Sequence, residues 1–564
     1  AALAFGSVAL RVAVAAVLGG GAMMAGPLPA GSGEWQGQVV DVSSPSGLDQ
    51  RAFVRLLDEG TPGRRWLVYA WLPRHPALIP GDHIALRGTL EPPPRDAPGF
   101  AGFLESRGAA GTLKAHALRL TGAGDGFAAS VEHLRWAVDR FLGRAVPEPE
   151  AGLASGILIG LRERVSRETA DDFTTTGLTH VVAISGWNIA LVAGIATALL
   201  RATGLGRRPR SAIVLVAIVA YTVFAGAEAS VIRAAVMGVV VLIARESGHP
   251  SGAAAALGLA CWGLLLAEPA MIGDIGLQLS LAATAGLLVL GGPAESVVRR
   301  ATRGRGPRWF HETLGVSLAA QLSTLPLILL HFGRLSLISP LANLLVAPIV
   351  PLAMLGAAVG VGAGVALALL PLQLPLAPLL LASWLPLALM TRGAGLLADV
   401  PMASLELPAP LDLVGAGIAL VALVIALRRV RGRPPQPSAS PAPTLTRPSR
   451  WRTRPLAVSG LVALLVLSGS LVLVGPPGPQ LRVSVLDIGQ GDAILLETAT
   501  GERMLVDGGP DPDLLVRRLD ERIPVWDRHI DAVVLTHPHE DHAGGLAGLA
   551  PRYSIGRVVE TGMN

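Results

Sequence analysis

The sequence predicts a polytopic α-helical membrane protein with a small β domain near its N-terminus and, at its C-terminus, an α/β segment that carries a hydrolase-like metal motif. Of its 564 residues, 51% are hydrophobic and only 15% are charged, a balance typical of membrane proteins. Short β-forming stretches separated by Gly and Pro occupy residues 33–122. A run of metal-ligating residue types, Thr536-His-Pro-His-Glu-Asp-His542, follows the last apolar segment.

The composition also excludes several functions. Lys114 is the only lysine, so the basic charge is almost entirely arginine, which we interpret as coding bias and loop charge rather than a dedicated nucleic-acid surface. Because Lys114 follows Leu113, the chain has no phosphate-binding GxxxxGK[ST] loop, and we expect it to bind no nucleotide. Cys261 is the only cysteine, which excludes an intrachain disulfide and a thiolate-based zinc site.

The N-terminal part of the chain divides into three predicted segments. Residues 1–30 are expected to contain a membrane helix, with Arg11 near its cytoplasmic edge. The β-forming stretches of residues 33–122 predict a small barrel or sandwich. Residues 123–180 are predicted to form amphipathic connecting helices, which either lie on the membrane surface or dock onto the helical bundle.

Residues 181–428 are predicted to form the main transmembrane domain. A span needs roughly 20 predominantly apolar residues, and nine segments are candidates: 181–200, 211–227, 230–246, 252–268, 273–291, 312–333, 335–370, 376–397 and 411–428. A basic Pro- and Ser-rich linker follows at 429–455, then a further transmembrane helix at 456–475. The hydrolase-like segment occupies 480–564.

Arginine clusters predict the orientation of the spans. They fall at 201–210, at 299–308 and at 428–454, which includes most of the linker. Placing all three in the cytoplasm puts the β domain and the hydrolase-like segment outside it. The same scheme requires segment 335–370 to cross the membrane an odd number of times, so we predict one crossing with a re-entrant or broken piece. The residues that would break it are Pro340, Asn343, Pro348 and Pro351.

The His-rich motif follows a predicted strand and has the spacing of a metal site. His537 and His539 can bind one metal ion, and Asp541 and His542 can bind a second beside it. Two such ions generate a hydroxide and hold a phosphate or carbonyl oxygen, so the motif predicts a metallohydrolase. Two upstream strand-to-turn units, VLDIGQGD and MLVDGG, fit the first strands of an αββα sandwich. They contain the predicted active-site support residues Asp487, Gln490, Asp492 and Asp507.

Several motifs resemble one known family. THPHEDHAGG resembles the first ligand motif of the metallo-β-lactamase fold, and LDIGQGDAILL and LVDGG look like the version attached to the ComEC family of DNA-uptake channels. In the membrane region, GLTHVVAISGWNIALV, ASVIRAAVMG, DIGLQLSLAAT and STLPLILLHFGRLSLISPLANLLVAPIV resemble the competence region of that family. The resemblance implies an OB-like barrel at 33–122, a competence channel at 181–428 and a metallo-β-lactamase-like domain at 480–564.

The resemblance also implies a function in natural transformation. A multi-pass protein of the bacterial inner membrane would take up single-stranded DNA, while an extracytoplasmic metallohydrolase domain degrades the strand that is not transported. The family implies two divalent ions, Zn or Mn, with Asp541 as the catalytic residue that positions or deprotonates the attacking water. It further implies a DNA receptor and a cytoplasmic ATPase as partners. The alternative is a transporter of another polyanion or metabolite, fused to an esterase or lactonase of the same fold.

Both ends of the sequence bear on the completeness of this site. The sequence begins at Ala1 inside an apolar segment and stops at Asn564, before the third His and the bridging Asp that the resemblance implies. We therefore expect truncation at both ends and incomplete binding of the two ions.

Polar residues within the predicted spans are candidates for the DNA path. A charged side chain inside a membrane is costly unless it faces a cavity or a partner, and a polyanion needs a wet path with some cationic lining. Arg233 meets this requirement, although it can instead pair with Glu228 or Asp274 and hold the bundle together. Asn188 stands where the family usually has His, so we expect no titrating role there. The predicted channel residues are Ser185, Asn188, Arg233, Asp274, Gln278 and Asn343.

Overall fold

The computed structural model describes residues 28–431 and 481–560, apart from short gaps at 30, 47–48, 58–64, 75, 95, 125, 183–185, 202, 228, 247–252, 268, 369–376, 525 and 526. The predicted N-terminal membrane helix, nearly all of the 429–455 linker and the predicted helix at 456–475 lie outside these residues. The described chain forms a β barrel, connecting helices, a helical bundle and an α/β domain, in that order.

The N-terminal domain is a closed barrel of five strands, which confirms the predicted β domain. Its strands are β1 (Gly31–Ser46), β2 (Asp49–Leu57), β3 (Arg65–Pro73), β4 (His83–Glu91) and β5 (Gly111–Gly122), and a short helix, α1 (Pro98–Ser106), precedes β5. The order is β1-β2-β3-β5-β4, with β4 returning to β1 and with β3 parallel to β5. Alternate residues point inward, so Val54, Leu56, Val68 and Leu72 are fully buried. This closure is OB-like, as the resemblance implied.

Three helices connect the barrel to the bundle: α2 (Phe127–Ala145), α3 (Glu150–Ile159) and α4 (Arg167–Thr175). Every residue of α3 is buried. The prediction that this helix is amphipathic is therefore wrong. Its Leu153 and Ile157 belong to one hydrophobic cluster with Met354 and Met390 of the bundle. Of the two placements that the sequence left open, docking onto the bundle is therefore the one observed for α3.

The helices of the bundle follow the order of the predicted spans. They are α5 (Thr179–Val182), α6 (Gly186–Arg201), α7 (Arg207–Phe224), α8 (Ala229–Glu246), α9 (Ala253–Ala267), α10 (Ile275–Ala301), α11 (Arg308–Phe332), α12 (Ser339–Val346), α13 (Val350–Ala368), α14 (Ala377–Ala398) and α15 (Leu411–Arg431). Among the described residues, α10, α11 and α15 are each long and apolar enough to cross a membrane, and the bent pair α12–α13 makes a fourth if it is one span. Within their described residues, the other helices of the bundle do not meet the same criteria.

Segment 335–370 is broken, as predicted. Helices α12 and α13 are separated by residues 347–349 and bent by 42° relative to each other. Pro348 lies in the break, where it removes a backbone donor and clashes with the preceding turn. Pro340 lies in the first turn of α12, where proline is tolerated. The number of membrane crossings in this segment stays a prediction.

The longest two helices mark the two ends of the bundle. Helices α10 and α11 pack as an antiparallel hairpin, and the Arg-rich segment 299–308 forms its turn. Gly286 of α10 faces Ser323 of α11 so closely that no Cβ would fit. At the other end, β6 (Arg334–Ser336), which follows α11, pairs with β7 (Ser404–Glu406), which lies between α14 and α15.

The C-terminal domain contains one five-stranded sheet in the order β12-β11-β10-β9-β8. Its elements are β8 (Arg482–Val485), β9 (Ile494–Glu497), β10 (Arg503–Val506), α16 (Pro512–Asp520), β11 (His529–Leu535), α17 (Glu540–Ala543) and β12 (Ser554–Glu560). Strands β10, β11 and β12 are parallel, whereas β8, β9 and β10 are antiparallel. Leu515 and Leu519 of α16 pack against the sheet residues Leu505 and Val533. The described residues thus contain one of the two sheets of the predicted αββα sandwich.

Candidate metal centre

The His-rich loop, residues 536–542, begins where β11 ends. Strand β10 runs parallel to β11 and ends at Val506. Asp507 and Thr536, which are 29 positions apart in sequence, therefore meet at the carboxyl edge of the sheet. In open α/β sheets this edge is where ligands commonly bind.

Asp507 organises this loop. Its backbone is left-handed, with φ of 56°, a conformation that Asp tolerates better than most residues. Its buried carboxylate accepts hydrogen bonds from Thr536 N (2.8 Å), Thr536 Oγ1 (2.6 Å) and His542 Nδ1 (2.9 Å). Burial alone would raise the pKa of Asp507, but these hydrogen bonds outweigh it and lower the pKa below its ordinary value. Because an ionised carboxylate only accepts hydrogen bonds, His542 must carry its proton on Nδ1.

The three histidines of the loop lie together. The ring centroids of His537 and His542 are 4.0 Å apart, and those of His537 and His539 are 4.8 Å apart. With Nδ1 of His542 bonded to Asp507, Nε2 is left for a further ligand, and it lies 3.8 Å from Oδ2 of Asp541. Imidazoles and a carboxylate, oriented by an outer carboxylate, are a common donor set for divalent metals. The residue types therefore fit a divalent metal ion. Among the described residues, however, no group of three or more His, Cys, Asp or Glu side chains is arranged to hold one.

Glycine turns bring the sequence motifs into backbone contact. Gly491, with φ of 93°, packs directly against the backbone of Asp541, so a Cβ at this position would overlap the carbonyl oxygen. Gly508 N donates to the carbonyl oxygen of His542 (2.7 Å), and Gly545 N donates to that of Gly509 (2.7 Å). Gly491, Gly508, Gly509 and Gly545 are thus needed for close approach, because a Cβ at any of them would overlap a neighbouring atom.

The four predicted support residues have different environments. Only Asp507 is brought to the histidines by the described contacts. The carboxylate of Asp487 is exposed and lies 3.6 Å from Arg518. Gln490 and Asp492 are exposed in the turn around Gly491. No described side-chain contact joins either residue to the histidines, so their role in supporting the metal site stays a prediction.

Thr536 belongs to the site although the sequence did not single it out. Both its backbone amide and its hydroxyl donate to Asp507, and the hydroxyl lies 2.9 Å from Nδ1 of His537. A hydroxyl residue between a buried strand and a His pair was the available signal. It was insufficient because its partner is distant in sequence.

Two of the predicted channel residues join neighbouring helices. Asn188, which is 3% exposed, donates to the carbonyl oxygen of Ile157 (3.1 Å) and so links α6 to α3. Asn343 donates to Ser317 Oγ (3.0 Å) and Ser339 Oγ (3.3 Å), which links α12 to α11. These contacts give both side chains a structural use.

Three other predicted channel residues, Arg233, Asp274 and Gln278, lie at or near the start of α10. Arg233 is 5% exposed, and its Nη1 has no hydrogen-bond partner within the described part of the chain. Asp274 is close enough to interact with Arg233 electrostatically, while its carboxylate caps α10 by accepting a backbone hydrogen bond of 2.6 Å. Gln278 donates to a carbonyl oxygen in the preceding turn (2.9 Å). Ser185 and Glu228 lie outside the described residues.

Comparison with known proteins identifies two regions. Residues 157–432 match the family described as Competence protein, and residues 486–562 match the Metallo-beta-lactamase superfamily. The second match supports the use of a divalent metal by the C-terminal domain.

The chain is also similar to a curated protein. The chain is 29% identical over 290 residues to ComE operon protein 3 of Bacillus subtilis (strain 168), a match that covers 50% of this chain. The match spans only 36% of the length of that relative. No solved structure matches the chain.

Proposed function

Because the chain belongs to the ComEC family of competence proteins, we propose that it is an inner-membrane channel for single-stranded DNA in natural transformation. The bundle passes one strand to the cytoplasm, and the C-terminal domain degrades the other strand outside by phosphodiester hydrolysis. The observation that carries the proposal is a competence match at 157–432 in the same chain as the Asp507–His542 arrangement of the His-rich loop.

Contacts between the domains support a common extracytoplasmic side for the barrel and the C-terminal domain. Arg74 of the barrel donates to Asp513 of α16 (2.9 Å). Arg517 of α16 bonds to Glu168 of α4, and α4 lies against the end of α14 that leads to β7. Both domains therefore lie near the β6–β7 end of the bundle, away from the Arg-rich turn that the positive-inside rule assigns to the cytoplasm.

The proposed hydrolase centre uses the His-rich loop. His537, His539, Asp541 and His542 would hold two divalent ions, Zn or Mn. When bound, such ions supply a hydroxide and stabilise the charge that develops on the phosphate. Asp507 fixes the tautomer and the ring plane of His542, and Asp541 positions the attacking water as its hydrogen-bond acceptor.

The proposed DNA path rests mainly on Arg233. Among the described residues, Nη1 of this buried guanidinium has no hydrogen-bond partner, so it is a donor that a passing phosphate can use. Because the chain has no nucleotide-binding loop, the proposal requires a separate cytoplasmic ATPase, and it requires a DNA receptor to deliver the duplex.

The proposal is tested in a transformable strain that lacks its own copy of this gene. The strain is complemented with variants and given duplex DNA that is labelled on either strand. We expect Arg233→Ala to abolish most internalised label while the protein stays in the membrane. The double variant His537→Ala with Asp541→Ala should release little soluble label from the other strand.

The matched control for Arg233 is Arg308→Ala, since Arg308 is exposed and pairs only with Glu312 in the described chain. Normal release of soluble label by the double His-rich loop variant would remove the nuclease assignment. Normal uptake by Arg233→Ala would remove that residue from the path. If the unmodified protein restores no uptake, the alternative of a transporter for another polyanion, with an esterase or lactonase domain, is favoured.

A further inference from the structure

The C-terminal domain binds the connecting helices through buried polar groups. Arg528 donates to the carbonyl oxygens of Gly143 and Val146 at the end of α2. Arg552 bonds to Glu148, whose backbone amide in turn donates to Asp520 (2.9 Å). We refer to Glu148, Asp520, Arg528 and Arg552 as the docking interface.

The docking interface is a network of largely buried charges. The side chain of Asp520 is fully buried, and that of Arg528, 2.9 Å away, is 5% exposed. Burial alone would raise the pKa of Glu148, but Arg552 and Arg164 outweigh it and lower the pKa. Burial dominates at Asp520 and raises its pKa in spite of Arg528. Removing one member of such a network leaves another charge buried without compensation.

The network continues into the membrane bundle. Arg164 donates to both Glu148 (3.1 Å) and Asp139 (3.0 Å), and Asp139 also accepts from Ser155 of α3 (2.7 Å). Helix α3 is buried in the same hydrophobic cluster as α12, α13 and α14. The C-terminal domain is thus linked by ion pairs and hydrogen bonds to α3, which packs within the bundle.

The docking interface lies at the edge of the sheet opposite the His-rich loop. Arg528 immediately precedes β11, and Arg552 precedes β12, which is parallel to β11. The His-rich loop follows the other end of β11. A strand of seven residues rises about 3.3 Å per residue, so the two sites are separated by roughly 20 Å.

We propose that the docking interface holds the hydrolase-like domain on the bundle in one orientation, with its metal loop at the edge of the sheet opposite that interface. The domain is a fixed part of the transporter, and its substrate strand reaches the metal loop from the outer side. The link to DNA degradation rests on the proposed function, whereas the orientation does not.

Chemical cross-linking in membranes tests the orientation without DNA. Cys261 is the only native cysteine, so a Cys261→Ser background accepts a reporter pair, Arg74→Cys with Asp513→Cys, joined by a short bis-maleimide. We expect efficient intrachain cross-linking that falls by about tenfold or more in Arg528→Met, because the buried carboxylate of Asp520 loses its closest ion-pair partner. Arg522→Met is an identical change on the same domain and should leave cross-linking unchanged, since the described contacts of Arg522 are with Arg518 and Glu521 of that domain.

Folding of the domain is followed by its resistance to added protease. If Arg528→Met makes the domain protease-sensitive, the connector variant Glu148→Gln replaces it, since that residue lies outside the hydrolase-like domain. Undiminished cross-linking in a folded Arg528→Met protein, or in Glu148→Gln in its place, would overturn the proposal. Loss in the folded variant supports it, and a failure of DNA uptake by the unmodified protein would count only against the proposed function.

Discussion

Replacing Asp507 by Asn tests whether this carboxylate orients the metal ligands. In the structure, Oδ1 accepts from Thr536 N, while Oδ2 accepts from Thr536 Oγ1 and from His542 Nδ1. An amide that keeps the first hydrogen bond must point its NH₂ group at the two donors bonded to Oδ2. Asn also tolerates the left-handed backbone, so the change is chemical rather than steric.

The expected loss can be estimated from these contacts. Hydrogen bonds to charged groups contribute about 1.5–3 kcal/mol each, and removing an outer carboxylate typically weakens metal binding about 10–100-fold. A tenfold change is about 1.4 kcal/mol, so the expected loss of roughly 1.4–2.8 kcal/mol equals that of one such hydrogen bond. Titration of the purified chain with Zn²⁺ against a chromophoric chelator measures the change.

Asp492→Asn is the matched control, because Asp492 is exposed in the adjacent turn and the chemical change is the same. If both variants bind Zn²⁺ within about twofold of the unmodified chain, less than the tenfold minimum expected for an outer ligand, the assigned role of Asp507 is wrong.

Three further changes have defined outcomes. Burial raises the pKa of Glu163 to about 7, so the folded state binds the proton more tightly than the unfolded state does. The stability of the fold therefore falls as pH rises from about 4.5 to above 7. Glu163→Gln should increase the free energy of unfolding at pH 8 but not at pH 4, by on the order of 1–3 kcal/mol, and the unfolding midpoint reports this change. Gly491→Ala should abolish Zn²⁺ binding because it overlaps the His-rich loop, whereas Gly501→Ala, with a similar φ of 92° but open space, should retain it. Gly286→Val should separate α10 from Ser323 of α11 and reduce the yield of folded protein, which size-exclusion chromatography in detergent measures; an unchanged profile would contradict the close packing.

Prediction from sequence succeeded where the signal was local. Hydropathy located the helices of the bundle, and the prolines around 348 predicted the break between α12 and α13. The same approach was wrong about α3, predicted to be amphipathic, because Leu153 and Ile157 are recognisable as buried only when the bundle surrounds all sides of the helix.

Site residues were predictable where metal ligands follow one another closely along the sequence. His537, His539 and His542 are close in sequence, so their proximity follows from one loop. The choice of Asp507 over Asp487 and Asp492 was not predictable, since it depends on which strand lies parallel to β11.

The sequence by itself determined the class of protein, the order of its parts and the residues of the His-rich loop, because hydropathy and ligand spacing are properties of short segments. Only the tertiary structure decided that the hydrolase-like domain binds the connecting helices through Glu148 and Arg552, which are 404 positions apart. The same holds for Asp520 and Arg528, whose burial depends on that contact. Such charges look like ordinary surface residues in the sequence, since the surface that buries them is formed by a distant part of the chain.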